Sequence, residues 1–117
     1  MLAVQIFENE KNTQTFSAGQ TIFNEGDSGE SMYVVLEGVV DILKQGKVIN
    51  SITPGSVFGE MALIDRQPRS ASAVARENSK IATIDAGRFM ILVQHNPFFA
   101  LEMMQLLTQR LRKSMES

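Results

Sequence analysis

Ser31-Met32-Tyr33-Val34-Val35-Leu36-Glu37-Gly38-Val39-Val40-Asp41-Ile42-Leu43-Lys44-Gln45-Gly46-Lys47-Val48-Ile49-Asn50-Ser51-Ile52 holds three β-rich runs and two turn signals. The runs are Ser31 to Leu36, Val39 to Lys44 and Val48 to Ile52, dense in the residues that suit a pleated, half-buried surface. Gln45-Gly46 reads as a tight hairpin turn, because glycine accepts the positive φ that such turns demand. Glu37-Gly38 interrupts an otherwise continuous apolar run and marks a turn or bulge. Working outward, Thr21-Ile22-Phe23, Ser70 to Ala75 and Lys80 to Ile84 read as further strands. Between Gln14 and Asp85, clusters of Gly, Asn, Asp and Pro recur about every 8 to 12 residues, the spacing of a sandwich or barrel.

After Ile84 the pattern changes. Asp85 is a good N-cap for a helix running through Arg88-Phe89-Met90-Ile91-Leu92-Val93 to about His95. Asn96-Pro97 ends it, and a second helix starts with Pro97 in its first turn. Strands followed by helices give an α+β layout. The last helix has two apolar faces: Phe99, Met103 and Leu106 on one, and Leu101, Met104, Thr108, Leu111 and Met115 on the other. Packing into one core and a seam between two copies are both compatible with this pattern.

The 117 residues suffice for one domain with one core, 1–117, with strands over about 14–85 and helices over about 86–115. A 44% hydrophobic and 21% charged composition is that of a soluble globular protein. Net charge −2 gives no general attraction to nucleic acid or to an anionic membrane. Without cysteine there is no disulfide framework, thiolate metal site or iron–sulfur cluster. No apolar run approaches the ~18 residues that span a bilayer, and Met1 to Phe7 is too short and lacks the basic start of a signal peptide. A cytoplasmic protein that is not bound to membrane is the expectation.

The chemistry concentrates in Phe58-Gly59-Glu60-Met61-Ala62-Leu63-Ile64-Asp65-Arg66-Gln67-Pro68-Arg69-Ser70-Ala71. Glu60 and Arg69 sit among apolar neighbours, where unpaired charges are expensive to bury. They could pair with each other, with Ala62-Leu63-Ile64 as core packing. Alternatively they hold a small ligand with hydroxyls at one end and an anion at the other. The Glu60-Met61-Ala62-Leu63 turn presents N–H groups at a helix start, and the Arg69 fork suits two anionic oxygens. Asn24 to Glu30 lacks the alternating acids of a calcium loop and reads as a solvated turn. His95, Arg110, Arg112 and Lys113 lie near helix C-termini, where cations suit the dipole.

This segment resembles the phosphate-binding cassette of cyclic-nucleotide-binding domains, written FGE[LM]AL, a short spacer, then PR[ASTC]A. Gly19, Glu25-Gly26-Asp27, Tyr33 to Gly38 and Pro54-Gly55 fall where that family carries its turn glycines. The resemblance covers about Thr15 to the C-terminus. It implies an eight-stranded antiparallel β-roll, jelly-roll-like, of the double-stranded β-helix type. A short phosphate-binding helix and two C-terminal helices complete that fold.

By the same resemblance Arg69, the Ala62 and Ala71 N–H groups and the Ser70 hydroxyl hold a cyclic phosphate. Glu60 accepts from the ribose 2′-hydroxyl, Gly59 lets backbone approach the sugar, and Pro68 fixes the chain before Arg69. Phe58, Met61 and Leu63 belong to the matched cassette, and the base is expected near Val34, Leu36 and the final helix. Thr at the Ser70 position goes with cGMP in the family and Ala with cAMP. Ser occurs in the catabolite-activator branch, so cAMP is the expected ligand, with cGMP open.

Family members that dimerise often use the last helix, which favours a homodimer here. A signal through the C-terminal helices would reach an effector protein that the sequence does not name. No helix-turn-helix follows the last helix, so direct DNA binding is not expected. The lone histidine disfavours a haem sensor, and no nucleophile–base arrangement or phosphate glycine loop points to an enzyme. A non-binding interaction domain of the same fold is the alternative reading.

Overall fold

The computed structural model describes Phe7 and residues 9–116. The reading of Met1 to Phe7 therefore lies outside the described residues, apart from Phe7 itself. The strands are β1 (Thr13–Phe16), β2 (Thr21–Phe23), β3 (Met32–Glu37), β4 (Val40–Lys44), β5 (Lys47–Ile52), β6 (Val57–Phe58), β7 (Ser72–Ala75) and β8 (Ser79–Ile84). A short helix, α1 (Glu60–Asp65), separates β6 from β7, and α2 (Ala86–His95) and α3 (Pro97–Glu116) follow β8. The strands form two four-stranded sheets, ordered β1-β8-β3-β6 and β2-β7-β4-β5. Every pairing is antiparallel, giving the expected α+β β-roll with its C-terminal helices.

Two strands were not individually legible. β6 has only two residues, too few to show alternation, and β1 is a polar run, TQTF, with no buried position. Elsewhere local chemistry governs. Gln45 and Gly46 both take positive φ, 51° and 78°, which makes the β4–β5 turn the primed type that matches strand twist. Asp85 caps α2, its Oδ1 accepting from the Arg88 N–H at 2.8 Å.

Bulges fix the register at two places. On β4–β5, Ile42 pairs with Asn50 and Leu43 with Val48, leaving Ile49 as the extra residue. On β3–β8, Val35 pairs with Ile81 and Glu37 with Lys80, leaving Leu36 unpaired just before Gly38, whose φ is 92°.

Because side chains alternate along a strand, β3 serves two cores. Val34 joins Phe7, Met32, Leu92, Phe99 and Met103 between the roll and the helices. Val35 joins Val40, Ile52, Phe58, Ala73 and Ile81 between the sheets. Phe99 anchors α3, with its ring 5.4 Å from that of Phe7 and 5.5 Å from that of Phe89, both edge-on. Phe99 and Met103 are buried and Leu106 half-buried, whereas Leu101, Met104, Leu111 and Met115 are exposed. Asp41 on β4, Ser51 on β5 and Arg76 after β7 tie three chain segments together. Burial raises the Asp41 carboxyl, but hydrogen bonds from Arg76 and Ser51 outweigh it and leave the group below its ordinary value. Among the described residues no helix is long and apolar enough to cross a membrane.

Candidate functional site

β6 delivers the chain into the site. Phe58 is buried and stacks on Tyr33, with ring centroids 5.2 Å apart. Gly59 then takes φ 74° and starts α1 without a side-chain cap. The first N–H groups of a helix have no acceptor within it, so those of Glu60, Met61 and Ala62 remain available to an outside oxygen. Arg66, at φ 59°, stops α1 by donating its N–H to the Ala62 carbonyl at 3.0 Å. The chain then returns through Pro68 towards β7.

Arg69 is clamped at its backbone and held at its head. Its N–H donates to the Asp27 carbonyl, and its own carbonyl accepts from the Gly26 N–H, both at 2.8 Å. One terminal nitrogen donates to the Gly59 carbonyl and the other to the Ser31 carbonyl, each at 2.8 Å. The guanidinium carbon lies 4.3 Å from the centroid of the Phe23 ring and 5.5 Å from that of Tyr33. Arg69 is only 6% exposed, and its Nε is buried without a hydrogen-bond partner. Among the described residues no carboxylate lies within ion-pair distance of it. A buried cation is thus balanced only by carbonyl dipoles and ring faces, although isolated charges are among the costliest groups to bury.

Glu60, also 6% exposed, does not pair with Arg69. It accepts from Arg110 of α3 at 2.5 Å. Arg110 also donates to the Val57 carbonyl at 2.6 Å and to the Ser56 hydroxyl at 3.4 Å. The dipole role read for Arg110 is therefore corrected: the side chain crosses from α3 to the cassette. Phe99, Met103, Leu106 and Arg110 follow a 4-3-4 spacing, so Arg110 continues the inward stripe. That spacing was a signal the sequence carried.

A cavity of about 440 Å³ opens between the cassette and the β4–β5 hairpin. Of the anticipated site residues, Phe58, Gly59, Glu60, Met61, Ala62, Pro68, Arg69, Ser70 and Ala71 line it. Val34, Leu36 and Leu63 do not line it. Val34 lies in the core shared with α2 and α3, and Leu36 and Leu63 pack against the same cluster. Alternation along β3 sends Val34 away from the space between the sheets that Val35 fills. The apolar wall comes instead from Phe23, Ile42, Ile49 and Ile52, with Asn50 among them.

Gly29 is a further residue that sequence reasoning missed. A Cβ there would meet Arg69 Nη2 at 2.6 Å, Nε at 2.7 Å and Cζ at 2.9 Å. The absence of a side chain at Gly29 is what makes room for the guanidinium. Among the described residues no group of His, Cys, Asp and Glu is placed to hold a metal ion.

Comparison with known proteins agrees with this geometry. A family profile described as cyclic nucleotide-binding domain matches residues 13–96. The Cyclic AMP receptor protein of Thermus thermophilus is 32% identical over 118 residues, covering 97% of this chain and 53% of that protein. The cAMP-dependent protein kinase regulatory subunit of Eremothecium gossypii is 37% identical over 82 residues, 69% of this chain and 18% of that protein. The crystal structure of the Thermus thermophilus Catabolite Activator Protein superposes with a TM-score of 0.81 at 32% identity, over 97% of this chain and 54% of that one. The chain thus spans about half the length of the Thermus relative, and its matched part covers under a fifth of the kinase subunit. With the cassette, the roll and the profile match in agreement over most of its length, the chain belongs to the cyclic nucleotide-binding domain family.

Proposed function

We propose that the cavity binds a 3′,5′-cyclic nucleotide, cAMP in preference to cGMP, and that residues 1–117 act as a single regulatory sensor module rather than as a catalyst. The observation that carries this reading is the buried Arg69, whose guanidinium has no counter-ion among the described residues and keeps an unpartnered Nε. A cyclic phosphate supplies the missing negative charge, and a planar guanidinium fork suits its two exocyclic oxygens. The Ala62 and Ala71 N–H groups and the Ser70 hydroxyl complete the anion's contacts. Glu60, already oriented by Arg110, accepts from the ribose 2′-hydroxyl. The base lies against the apolar wall of Ile42, Ile49 and Ile52. Preference for cAMP rests on Ser70, as in the catabolite-activator branch.

The Glu60–Arg110 pair supports a route for the signal. A ligand hydroxyl on Glu60 alters the contact that holds the far half of α3, so binding and helix position share one ion pair. The exposed Leu101, Met104, Leu111 and Met115 face then meets a second copy or an effector protein. Ligand shifts that equilibrium only by its differential affinity for the two helix positions.

Calorimetric titration of nucleotide-free protein with cAMP and cGMP tests the reading. Saturable binding with tighter cAMP is expected. Folded, ligand-free protein that takes up neither nucleotide would instead be an interaction module. Gly29→Ala adds a sharper test, because the added methyl displaces the guanidinium without a positive-φ penalty. Thermal stability should fall little, while affinity for the nucleotide drops at least tenfold. Unchanged affinity in that variant would mean that Arg69 does not hold the phosphate in the observed pose.

A further inference from the structure

We propose that Asp41, Ser51 and Arg76 are positioning residues for the ligand: from the outer face of the sheet they hold the β4–β5 hairpin in the register that presents its apolar wall to the cavity. This inference rests on the cyclic-nucleotide reading of the cavity and makes the affinity of that site depend on side chains outside it. The three side chains form a closed triangle. The Ser51 hydroxyl donates to Asp41 Oδ1 at 2.9 Å and accepts from Arg76 Nη2 at 2.6 Å. Arg76 also reaches both carboxylate oxygens, Oδ2 from Nε at 3.1 Å and Oδ1 from Nη2 at 2.7 Å. A two-pronged guanidinium–carboxylate contact fixes direction as well as distance.

Its placement gives the triangle a purpose. β5 is the edge strand of its sheet, so β4 alone pairs with it. Asp41 stands directly opposite Ser51 in that pairing. Alternation turns the two outward, because their neighbours Val40, Ile42 and Ile52 belong to the packing between the sheets. The next rung is Ile42 with Asn50, and the bulge at Ile49 follows at once. The triangle thus closes one rung before the register slips, and Ile42, Ile49 and Ile52 around it all line the cavity. Arg76 brings in a third strand. It follows β7, which pairs with β4 on the side away from β5, and its N–H donates to the Val39 carbonyl at 2.9 Å. Register matters here because a one-residue shift would turn the wall residues to the other face.

The phosphate side of the cavity is held by a separate set of contacts. Arg69 is fixed by Gly26, Asp27, Ser31 and Gly59, none of which belongs to the triangle. Loss of the triangle therefore loosens the wall that faces the base and leaves the phosphate cradle as it was. The two sides should then respond independently to substitution.

Double-mutant cycles read by calorimetric titration with cAMP test this. Asp41→Ala should weaken binding roughly fivefold, a size usual for residues that act without touching the ligand. In an Ile49→Ala background, where the wall is already altered, the same change should cost less than about twofold. In a Ser70→Ala background, which alters only the phosphate side, it should again cost roughly fivefold. Ile49 is 57% exposed, so its truncation leaves the core intact. Arg76→Ala, at an exposed side chain, repeats the comparison with the Asp41–Ser51 bond in place, and it decides the matter should Asp41→Ala not fold. Equal losses in all three backgrounds would make the triangle a general stabiliser and overturn the proposal. Full affinity in both Asp41→Ala and Arg76→Ala would overturn it too, with the cavity's function left standing. Wild-type protein that binds no cyclic nucleotide would overturn both this assignment and the function beneath it.

Discussion

Arg69→Ala is expected to weaken cyclic-nucleotide binding by about 2–5 kcal/mol, roughly 30- to several-thousand-fold. The size follows from the geometry. The guanidinium is buried, its two terminal nitrogens are aimed by the Gly59 and Ser31 carbonyls, and among the described residues no carboxylate competes for it. A bound phosphate in the truncated site would keep its charge and lose its main counter-ion. Arg69→Lys should fall between wild type and alanine, because a compact ammonium keeps the charge but not the planar fork. Glu60→Gln should cost less than Arg69→Ala, since an amide still accepts from a hydroxyl. Titration calorimetry on variants shown to be folded by circular dichroism reads all three. If Glu60→Gln weakened binding more than Arg69→Ala, the assigned roles would be wrong.

Gly38→Ala is expected to carry the largest loss of stability, about 2–4 kcal/mol. Two effects combine there. Gly38 has φ 92°, a conformation that side-chain-bearing residues rarely adopt. Its added Cβ would also meet the Ser79 hydroxyl, the Asn78 carbonyl at 2.6 Å and Ser79 Cα at 2.7 Å. Two of those contacts are backbone at the start of β8, which pairs with both β1 and β3. Yielding there would disturb one of the two inner strands of that sheet. Gly26→Ala separates the two effects, because its φ is 90° but nothing lies within 4 Å of the added Cβ. It should cost only about 1 kcal/mol. Urea unfolding of both variants checks the contrast, and equal losses would show that the steric contacts at Gly38 relax freely.

The long middle strands were legible because their alternation and turn residues survive in a linear reading. β6 was not, being two residues long, and polar β1 gave no buried period. The cassette was legible because its residues are contiguous, so Glu60, Arg69 and their neighbours needed no knowledge of tertiary structure. The opposite wall did need it. Ile42, Ile49, Asn50 and Ile52 come together through a hairpin whose register slips at a bulge, and no linear pattern announces that slip. Val34 shows the converse, since alternation with Val35 already assigned the two to different faces. Arg110 was visible as the continuation of the Phe99, Met103, Leu106 stripe, although a polar residue at the end of an apolar series suggests solvent before it suggests a buried acid. Gly29 was silent, because only the position of the Arg69 head gives its missing side chain a purpose.

The unmatched charge at Arg69 also bears on how long the molecule survives without its ligand. A species that binds the native and not the unfolded chain stabilises it by about 2.7 kcal/mol at a hundredfold excess over Kd. Where a protease samples transiently opened molecules, degradation follows the population of that open form, which falls about a hundredfold under the same conditions. On the proposed function, nucleotide scarcity would therefore shorten the protein's lifetime as well as change its shape. Its abundance would then keep a slower record of past nucleotide supply than the binding equilibrium itself. Digestion rates measured with and without cAMP would show this directly, and identical rates would remove the connection.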